Sequence, residues 1–504
     1  MQVGLPADKL MNTSTDKQRP LSYRLRKSVQ FDTREDAPVL ILDYPLKATK
    51  LDPFWTLAFE SLSEGHFIPI ERITSLLQDS DTNDVRFFLD NLVRKGFLER
   101  EGIPELSNLP LVSVIIPVRN RPEEIRACLD SLQQLDFPAD KLEIIVVDDA
   151  STDGTPEVAS GYPVRLIKLE EHKQASYCRN LAAQQASGDI LAFIDSDCLA
   201  SRSWLKELLP AFQDSSLAAV GGLVDASFEE KGLDRYEKVK SSLNMGIMFK
   251  RTQKNDHFFY VPTCNLLVKK GVFLDLSGFS EDLVVGEDVD FCWRLQDAGY
   301  YLEYQPLGKV YHKHRNRLRD FCFRRFDYGG SEPMLQKRHP GRRKTLFTPP
   351  TKIFFWTAVC ISLVTTTYSP ILVALITFLM DILSKGIRSQ RSGIDFRFTI
   401  LVRSVIREYA TFIYHLGSFL SRYYLFIALL LLPVFPMISA VGLCAHLLTM
   451  MVEYKIKRPR LTPVSFLFYF TLEQLSYQLG VWAGCLRYRT SNPILPRLVF
   501  RRQN

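Results

Sequence analysis

Residues 190–198, "ILAFIDSDC", set Asp195 and Asp197 on either side of Ser196, directly after Ile190, Leu191, Phe193 and Ile194. An apolar run of that length reads as a buried strand, where a carboxylate is costly. Anions persist in such a place when a cation meets them, so the stretch predicts a divalent ion or a cationic side chain at the strand's end. The spacing of two residues puts both acids on one face of an ideal strand. Hard oxygen ligands of this kind suit Mg2+ or Mn2+, which take one or two carboxylates together with phosphate oxygens. The plainer alternative is a helix cap ahead of "SRSWLKELLPAF", a task Ser201 could fill equally well.

Working outward, the chain alternates strands and helices over residues 111–313. "LVSVIIPV" (111–118) and "LEIIVVDD" (142–149) are near-continuous apolar runs, and between them "RPEEIRACLDSLQQL" has helical spacing with Pro122 early. "VRLIKL", a helix around "YCRNLAAQQAS", and "DILAFIDSD" follow. This βαβαβ order predicts an α/β fold with a parallel sheet wound by helices, whose ligands bind beyond the carboxyl ends of the strands. Three of those ends are polar, "PVRN", "VVDDASTDG" and "IDSDC", and should converge on one crevice. No GxGxxG follows the first strand, which argues against a dinucleotide cofactor there. Asp149 can accept from the amino or imide edge of a nucleobase, or merely cap the next helix. Glu287, Asp288 and Asp290 form a dense acidic cluster whose self-repulsion should raise at least one pKa; the bland reading is acidic residues favouring a helix start. In "VYHKHRNRL", His312 and His314 share one side of an extended segment, where one could join a metal site. Arg324 and Arg325 are further candidates for anion contact.

"VSVIIPVRNR", "VVDDASTDGT", "CRNLAAQQASGDILAFIDSDC" and "GFSEDLVVGEDVDFCWRLQDAGY" together resemble the successive motifs of family 2 glycosyltransferases with the GT-A (Rossmann-like nucleotide-diphospho-sugar transferase) fold, over residues 111–315. The resemblance implies a nucleotide-sugar donor, UDP- or GDP-hexose, contacted by Pro117, Arg119, Asp149, Arg179, Asp195 and Glu287. It also implies a divalent metal (Mg2+ or Mn2+) on Asp197, which His312 could complete, and Asp288 as the general base of an inverting transfer. Asp149 would lie near the base, and Arg179 near the base or diphosphate. The QxxRW signature of processive cellulose-synthase-like members is missing; "QLGVW" (478–482) has no arginine in place.

The flanks narrow the resemblance. Residues 20–106 pair strand-like "SVQFD" and "PVLILD" with short helices and an "L..KGFLE" turn, the pattern of a small winged-helix-like α+β domain. DNA binding is disfavoured, because residues 1–106 carry 14 basic and 17 acidic side chains. With a PqqD-like peptide-recognition domain at 20–106 and a transferase domain at 107–333, the chain resembles the mycofactocin-system glycosyltransferases. That likeness implies transfer of a hexose, glucose, to a small peptide-derived redox cofactor or its precursor; a lipid or cell-envelope polysaccharide is the alternative acceptor. Residues 334–504 hold 22 basic and 5 acidic residues in an apolar background, which predicts a helical region on the anionic cytoplasmic face of a membrane rather than on nucleic acid. Two hydrophobic stretches, 353–380 and 424–451, are each long enough to cross, but Pro370, Pro433 and Pro436 interrupt them. The segment between them, 384–422, reads as a loop with seven basic and two acidic residues, so re-entrant hairpins fit the positive-inside rule better than two crossings. Residues 464–486 read as an interfacial or bundle helix. Nine cysteines without a CxxC pair indicate reduced thiols, and residues 1–20 show no apolar leader, so the catalytic domain is expected on the cytoplasmic side of the cytoplasmic membrane.

Overall fold

The structure is a computed structural model that describes residues 19–500 apart from 34–36, 78–79, 107, 253–257, 315–316 and 395. All but two residues of the segment read above as lacking a leader lie outside them, as do Arg315 and Asn316. The chain divides into two compact units: one contains Gly102–Ser331 with Pro459–Tyr469, the other Ser22–Glu101, Glu332–Arg458 and Phe470–Asn504.

The first unit is built on an eight-stranded sheet. Its strands, with those of a small companion sheet, are β1 (Val112–Val118), β2 (Leu142–Asp148), β3 (Arg165–Lys168), β4 (Ile190–Phe193), β5 (Cys198–Ala200), β6 (Leu217–Gly221), β7 (Val224–Ala226), β8 (Lys250–Arg251), β9 (Leu266–Lys269), β10 (Tyr301–Tyr304) and β11 (Val310–His312). The order in the large sheet is β8-β10-β6-β9-β4-β1-β2-β3, and β5-β11-β7 form the companion. Every residue of β1 is buried, as its unbroken apolar run requires of a strand covered on both faces. The parallel expectation holds for β3, β2, β1 and β4, but β9 and β8 run antiparallel to their neighbours. Because β2 and β4 flank β1 on opposite sides, the strand order reverses at β1, and a crevice opens there beyond the carboxyl ends. Helix Pro122–Gln133 leaves β1 with proline at its start, where a missing N–H costs nothing.

Behind the crevice, Phe193, Phe273, Phe279 and Phe291 pack with ring centroids 5.1–5.2 Å apart. Phe193 ends β4, and Phe291 lies in helix Glu287–Asp297. The cluster therefore fixes the strand that leads into "DSD" against the helix that carries "GEDVD". Each aromatic pair contributes about 0.5–1.5 kcal/mol beyond area burial.

In the second unit, residues 22–101 form a small α+β body of two three-stranded sheets and short helices. Helix Thr82–Lys95 is capped by Asp81 at one end and by Gly96, at φ +86°, at the other. Trp55 stacks on Phe88 at 4.1 Å, and the Tyr23 hydroxyl donates to the buried Asp90. Toward the C-terminus lie helices Pro350–Thr365, Ser369–Arg391, Phe398–Leu431, Pro436–Lys457 and Pro463–Tyr488. The sequence reading of two apolar stretches joined by a basic loop is corrected here. Pro370 divides the first stretch into two helices, as expected, but most of residues 384–422 is helical rather than a loop. Among the described residues, three helices, Ser369–Arg391, Phe398–Leu431 and Pro436–Lys457, are long and apolar enough to cross a membrane by length and composition. Large apolar side chains such as Leu363, Val364, Met437 and Ile438 stand exposed on this region.

Candidate active site

All nine residues expected at the site, Pro117, Arg119, Asp149, Arg179, Asp195, Asp197, Glu287, Asp288 and His312, line one crevice of about 1030 Å³ at the carboxyl ends of β1, β2 and β4. The sequence separates these residues by up to 195 positions; the sheet and the phenylalanine cluster bring them together.

The question posed by "ILAFIDSDC" has a two-part answer. Strand β4 stops at Phe193, so Asp195 and Asp197 lie in the turn between β4 and β5, not within one strand as the spacing suggested. Freed from the alternation, the two acids meet different cations. Asp195 accepts from Nη2 of Arg179 at 2.6 Å, and Asp197 accepts from Nη1 of Arg121. Nη1 of Arg179 also donates to Glu287 at 3.0 Å, so one buried guanidinium ties the β4 turn to the first turn of helix Glu287–Asp297. Burial opposes the charge on Arg179, but Asp195 and Glu287 outweigh it and raise its pKa.

That helix begins at Gly286, whose φ of +89° is a conformation open to glycine at no steric cost. The sharp entry sets Glu287, Asp288 and Asp290 in one first turn, which the macrodipole favours. They are not equivalent. Asp290 is fully buried and accepts from Ser280 and Arg294, which makes it a structural acid. Asp288 lines the crevice, and burial together with the nearby Glu287 pushes its carboxyl up to about 7.

Asp149 follows β2 and has both oxygens engaged: Oδ1 accepts from the Lys173 backbone N–H at 2.7 Å, and Oδ2 from that of Gln174 at 3.0 Å. Nδ1 of His172 lies 2.7 Å from Oδ2. Asp149 therefore does not cap the next helix, Thr155–Ser160; it holds the loop entering helix Gln174–Gln185 while still facing the crevice. Asp148 is the more hidden neighbour, with one buried oxygen lacking a hydrogen-bond partner among the described residues.

His312 and His314 part company. The rings are 4.9 Å apart, yet Nε2 of His312 lies 3.5 Å from Oδ1 of Asp197, whereas His314 faces Glu237. Burial, then the neighbouring His312 and Arg325, pushes His314 down to about 3, so it is neutral. Burial alone would raise Asp197, but His312 and Arg121 outweigh it and hold that carboxyl below its usual range. One donor atom from each of Asp197, Cys198 and His312 lies within 4.8 Å of the other two. Nδ1 of His312 is buried with no hydrogen-bond partner among the described residues. A carboxylate oxygen and an imidazole nitrogen 3.5 Å apart, open to a polar crevice, fit a divalent cation. The two arginines considered for anion contact both line the crevice; Arg325 is buried and donates to Glu237 at 2.7 Å, and Arg324 lies over the Tyr328 ring.

Sequence reasoning missed Arg121, Cys198, His172 and Glu237. Arg121 sits just before Pro122, so its backbone is held at a helix entry beyond β1, a place from which a basic side chain reaches the crevice. Glu237, within "DRYEKVK", carries no sequence signal that sets it apart from a solvated acid.

This chain is similar to several known proteins. A "Pre-mycofactocin glycosyltransferase" of Mycobacterium tuberculosis is 28% identical over 398 residues, 77% of this chain and 82% of that protein. "Glycosyltransferase AglE" of Haloferax volcanii is 36% identical over 203 residues, 39% of this chain and 65% of that protein. Among solved structures, the mannosyltransferase PcManGT from Pyrobaculum calidifontis, in complex with GDP-Man and Mn2+, aligns with 60% of this chain and 88% of its own at 20% identity and a TM-score of 0.38. Within the unit that holds the crevice, residues 113–273 match the family model "Glycosyl transferase family 2".

Proposed function

We propose that this chain is a membrane-associated inverting glycosyltransferase that moves a hexose, glucose, from a UDP- or GDP-sugar to a small peptide-derived redox cofactor or its precursor. The observation that carries the reading is the meeting of Asp149, Asp197 and Asp288 in one crevice. Asp149 accepts from the nucleobase edge, beside Pro117 and Arg119. Arg179 holds Asp195 and Glu287 in position against the donor. Asp197 and His312 would hold a divalent ion, Mg2+ or Mn2+, which supplies Lewis-acid stabilisation of the charge that develops on the departing diphosphate. Asp288 takes the proton of the acceptor hydroxyl as that oxygen forms its bond to the anomeric carbon. The bond from the same carbon to the diphosphate oxygen breaks on the opposite face, so the configuration inverts.

Residues 20–106 act as a PqqD-like module that presents the acceptor peptide, residues 107–333 as the transferase, and residues 334–504 as a basic, apolar anchor that keeps the transferase on the cytoplasmic side. The pre-mycofactocin relative, whose likeness spans most of both chains, supports this acceptor. The three apolar helices favour a second reading, in which a lipid or cell-envelope polysaccharide is glycosylated. Mass spectrometry separates the two: purified full-length chain with Mn2+ and UDP- or GDP-glucose is given a ribosomal-peptide-derived acceptor or a polyprenyl phosphate. We expect a hexose mass increment on the peptide-derived acceptor; an increment on the lipid alone removes the cofactor assignment.

A further inference from the structure

Cys198 opens β5 one residue after Asp197, and the proposed transfer gives its thiol no task. Its Sγ lies 3.9 Å from Oδ1 of Asp197, the same oxygen that faces Nε2 of His312 at 3.5 Å. The other oxygen of Asp197 is held by Arg121, so the aspartate presents Oδ1 alone toward both. A tetrahedral zinc ion with bonds of about 2.0–2.1 Å to nitrogen or oxygen and about 2.3 Å to sulfur spans donor-to-donor edges of roughly 3.3–3.6 Å. The two edges from Oδ1 come within a few tenths of an ångström of that geometry, and the sulfur and imidazole donor atoms lie within 4.8 Å of each other. One sulfur, one imidazole and one carboxylate make a donor set that a hard ion such as Mg2+ uses poorly and a thiophilic ion uses well.

We propose that Asp197, Cys198 and His312 form a site for a thiophilic divalent cation of the Zn2+ class, which displaces the harder ion and blocks transfer. The proposal rests on the reading of Asp197 and His312 as cation ligands and adds Cys198 to them. On binding, the Cys198 S–H bond breaks, its proton passes to water, and the sulfur lone pair forms the bond to the ion; nothing is oxidised or reduced. The fourth position is left to water. Because the sulfur is buried while Asp197 and His312 face the crevice, the ion enters from the donor side, and Zn2+ and the donor's own cation exclude each other.

Co2+ serves as the spectroscopic probe on the full-length chain. The expected result is a thiolate-to-cobalt charge-transfer band in wild type that Zn2+ abolishes. The band is lost in Cys198→Ser, where the visible d–d bands persist, and kept in Cys264→Ser, whose thiol lies against Cys198. Outer-shell partners alone are worth about 10–100-fold in metal affinity, so loss of the sulfur ligand should weaken Zn2+ inhibition of Mn2+-supported turnover by at least about tenfold. Co2+ binding without the band in wild type, or a band that survives in Cys198→Ser, overturns the proposal and leaves the donor-site reading standing. Failure of Co2+ and Mn2+ to bind at all removes both. The wild-type spectrum decides the matter even where Cys198→Ser does not fold, with Cys198→Ala as the second variant.

Discussion

Asp288→Asn lowers sugar transfer by about 10²–10⁴-fold, the range that a positioned general base contributes, while donor affinity stays within a factor of two or so of wild type. Asparagine keeps the shape and the hydrogen bond from the Val289 N–H but cannot take a proton. The pH dependence adds a second signature. Burial first, then Glu287, raises Asp288 from the ordinary 3.8 to about 7, so its basic form accumulates only as pH climbs through neutrality. Wild-type kcat/KM should therefore rise with pH through a limb near 7, and Glu287→Gln, which removes the like charge, should move that limb lower. For stability the sign runs the other way. A carboxyl whose folded pKa is raised contributes stability that is full below its unfolded pKa and is lost as pH rises through the folded value. Asparagine carries no such penalty, so Asp288→Asn should be as stable as wild type at pH 8, or slightly more so. Loss of activity together with loss of the fold would assign Asp288 a structural role.

Arg179→Met is expected to damage fold and activity together. The guanidinium is 3% exposed as a residue and forms ion pairs with Asp195 and Glu287, so methionine leaves two inward carboxylates without their cation. Removing one partner of a buried pair typically costs about 3–5 kcal/mol. Asp195 retains 30% side-chain exposure and can recover some hydration, which favours the lower end, about 3 kcal/mol. For a unit of this size that corresponds to a fall in Tm of roughly 6–12 °C. Arg179→Lys restores the charge but not the fork that reaches both acids, so it should recover part of the stability and little of the donor affinity. Thermal unfolding and equilibrium titration with UDP and GDP measure the two effects separately. If Arg179→Met unfolds as wild type does and binds donor normally, the bridge between the β4 turn and the "GEDVD" helix does not organise the site.

The acids of the site were legible because each ends an apolar run or opens a helix, places where charge must be explained. Asp149 after "LEIIVVD", Asp195 and Asp197 after "ILAFI", and Asp288 after Gly286 all signal themselves in that way. Their partners were not legible. Arg121 and Arg179 reach Asp197 and Asp195 through side-chain geometry fixed by the sheet, and nothing in "VRNRPEE" or "YCRNLAAQ" states which acid each will meet. The same holds for His314 and Arg325, whose shared contact with Glu237 depends on elements far apart in the chain. In the apolar region, hydropathy and the prolines located the two apolar stretches and their breaks but not the helix that runs between them. Pro370 and Pro436 each fall at the first turn of a helix, where proline is tolerated, and so mark the interruptions expected of them. The basic residues of 384–422 read as a loop because charge outweighed periodicity. In the fold, helix Phe398–Leu431 holds Ile400, Leu401, Ser404 and Val405 inward and leaves the Ile406 side chain exposed.

The most direct test of the account is a structure of the full-length chain with Mn2+ and UDP or GDP bound. The account predicts the ion on Asp197 and His312 at about 2.0–2.2 Å, the base against Asp149, and Asp288 on the open side of the diphosphate. A nucleotide seated outside this crevice, or an ion that leaves Asp197 untouched, would contradict it.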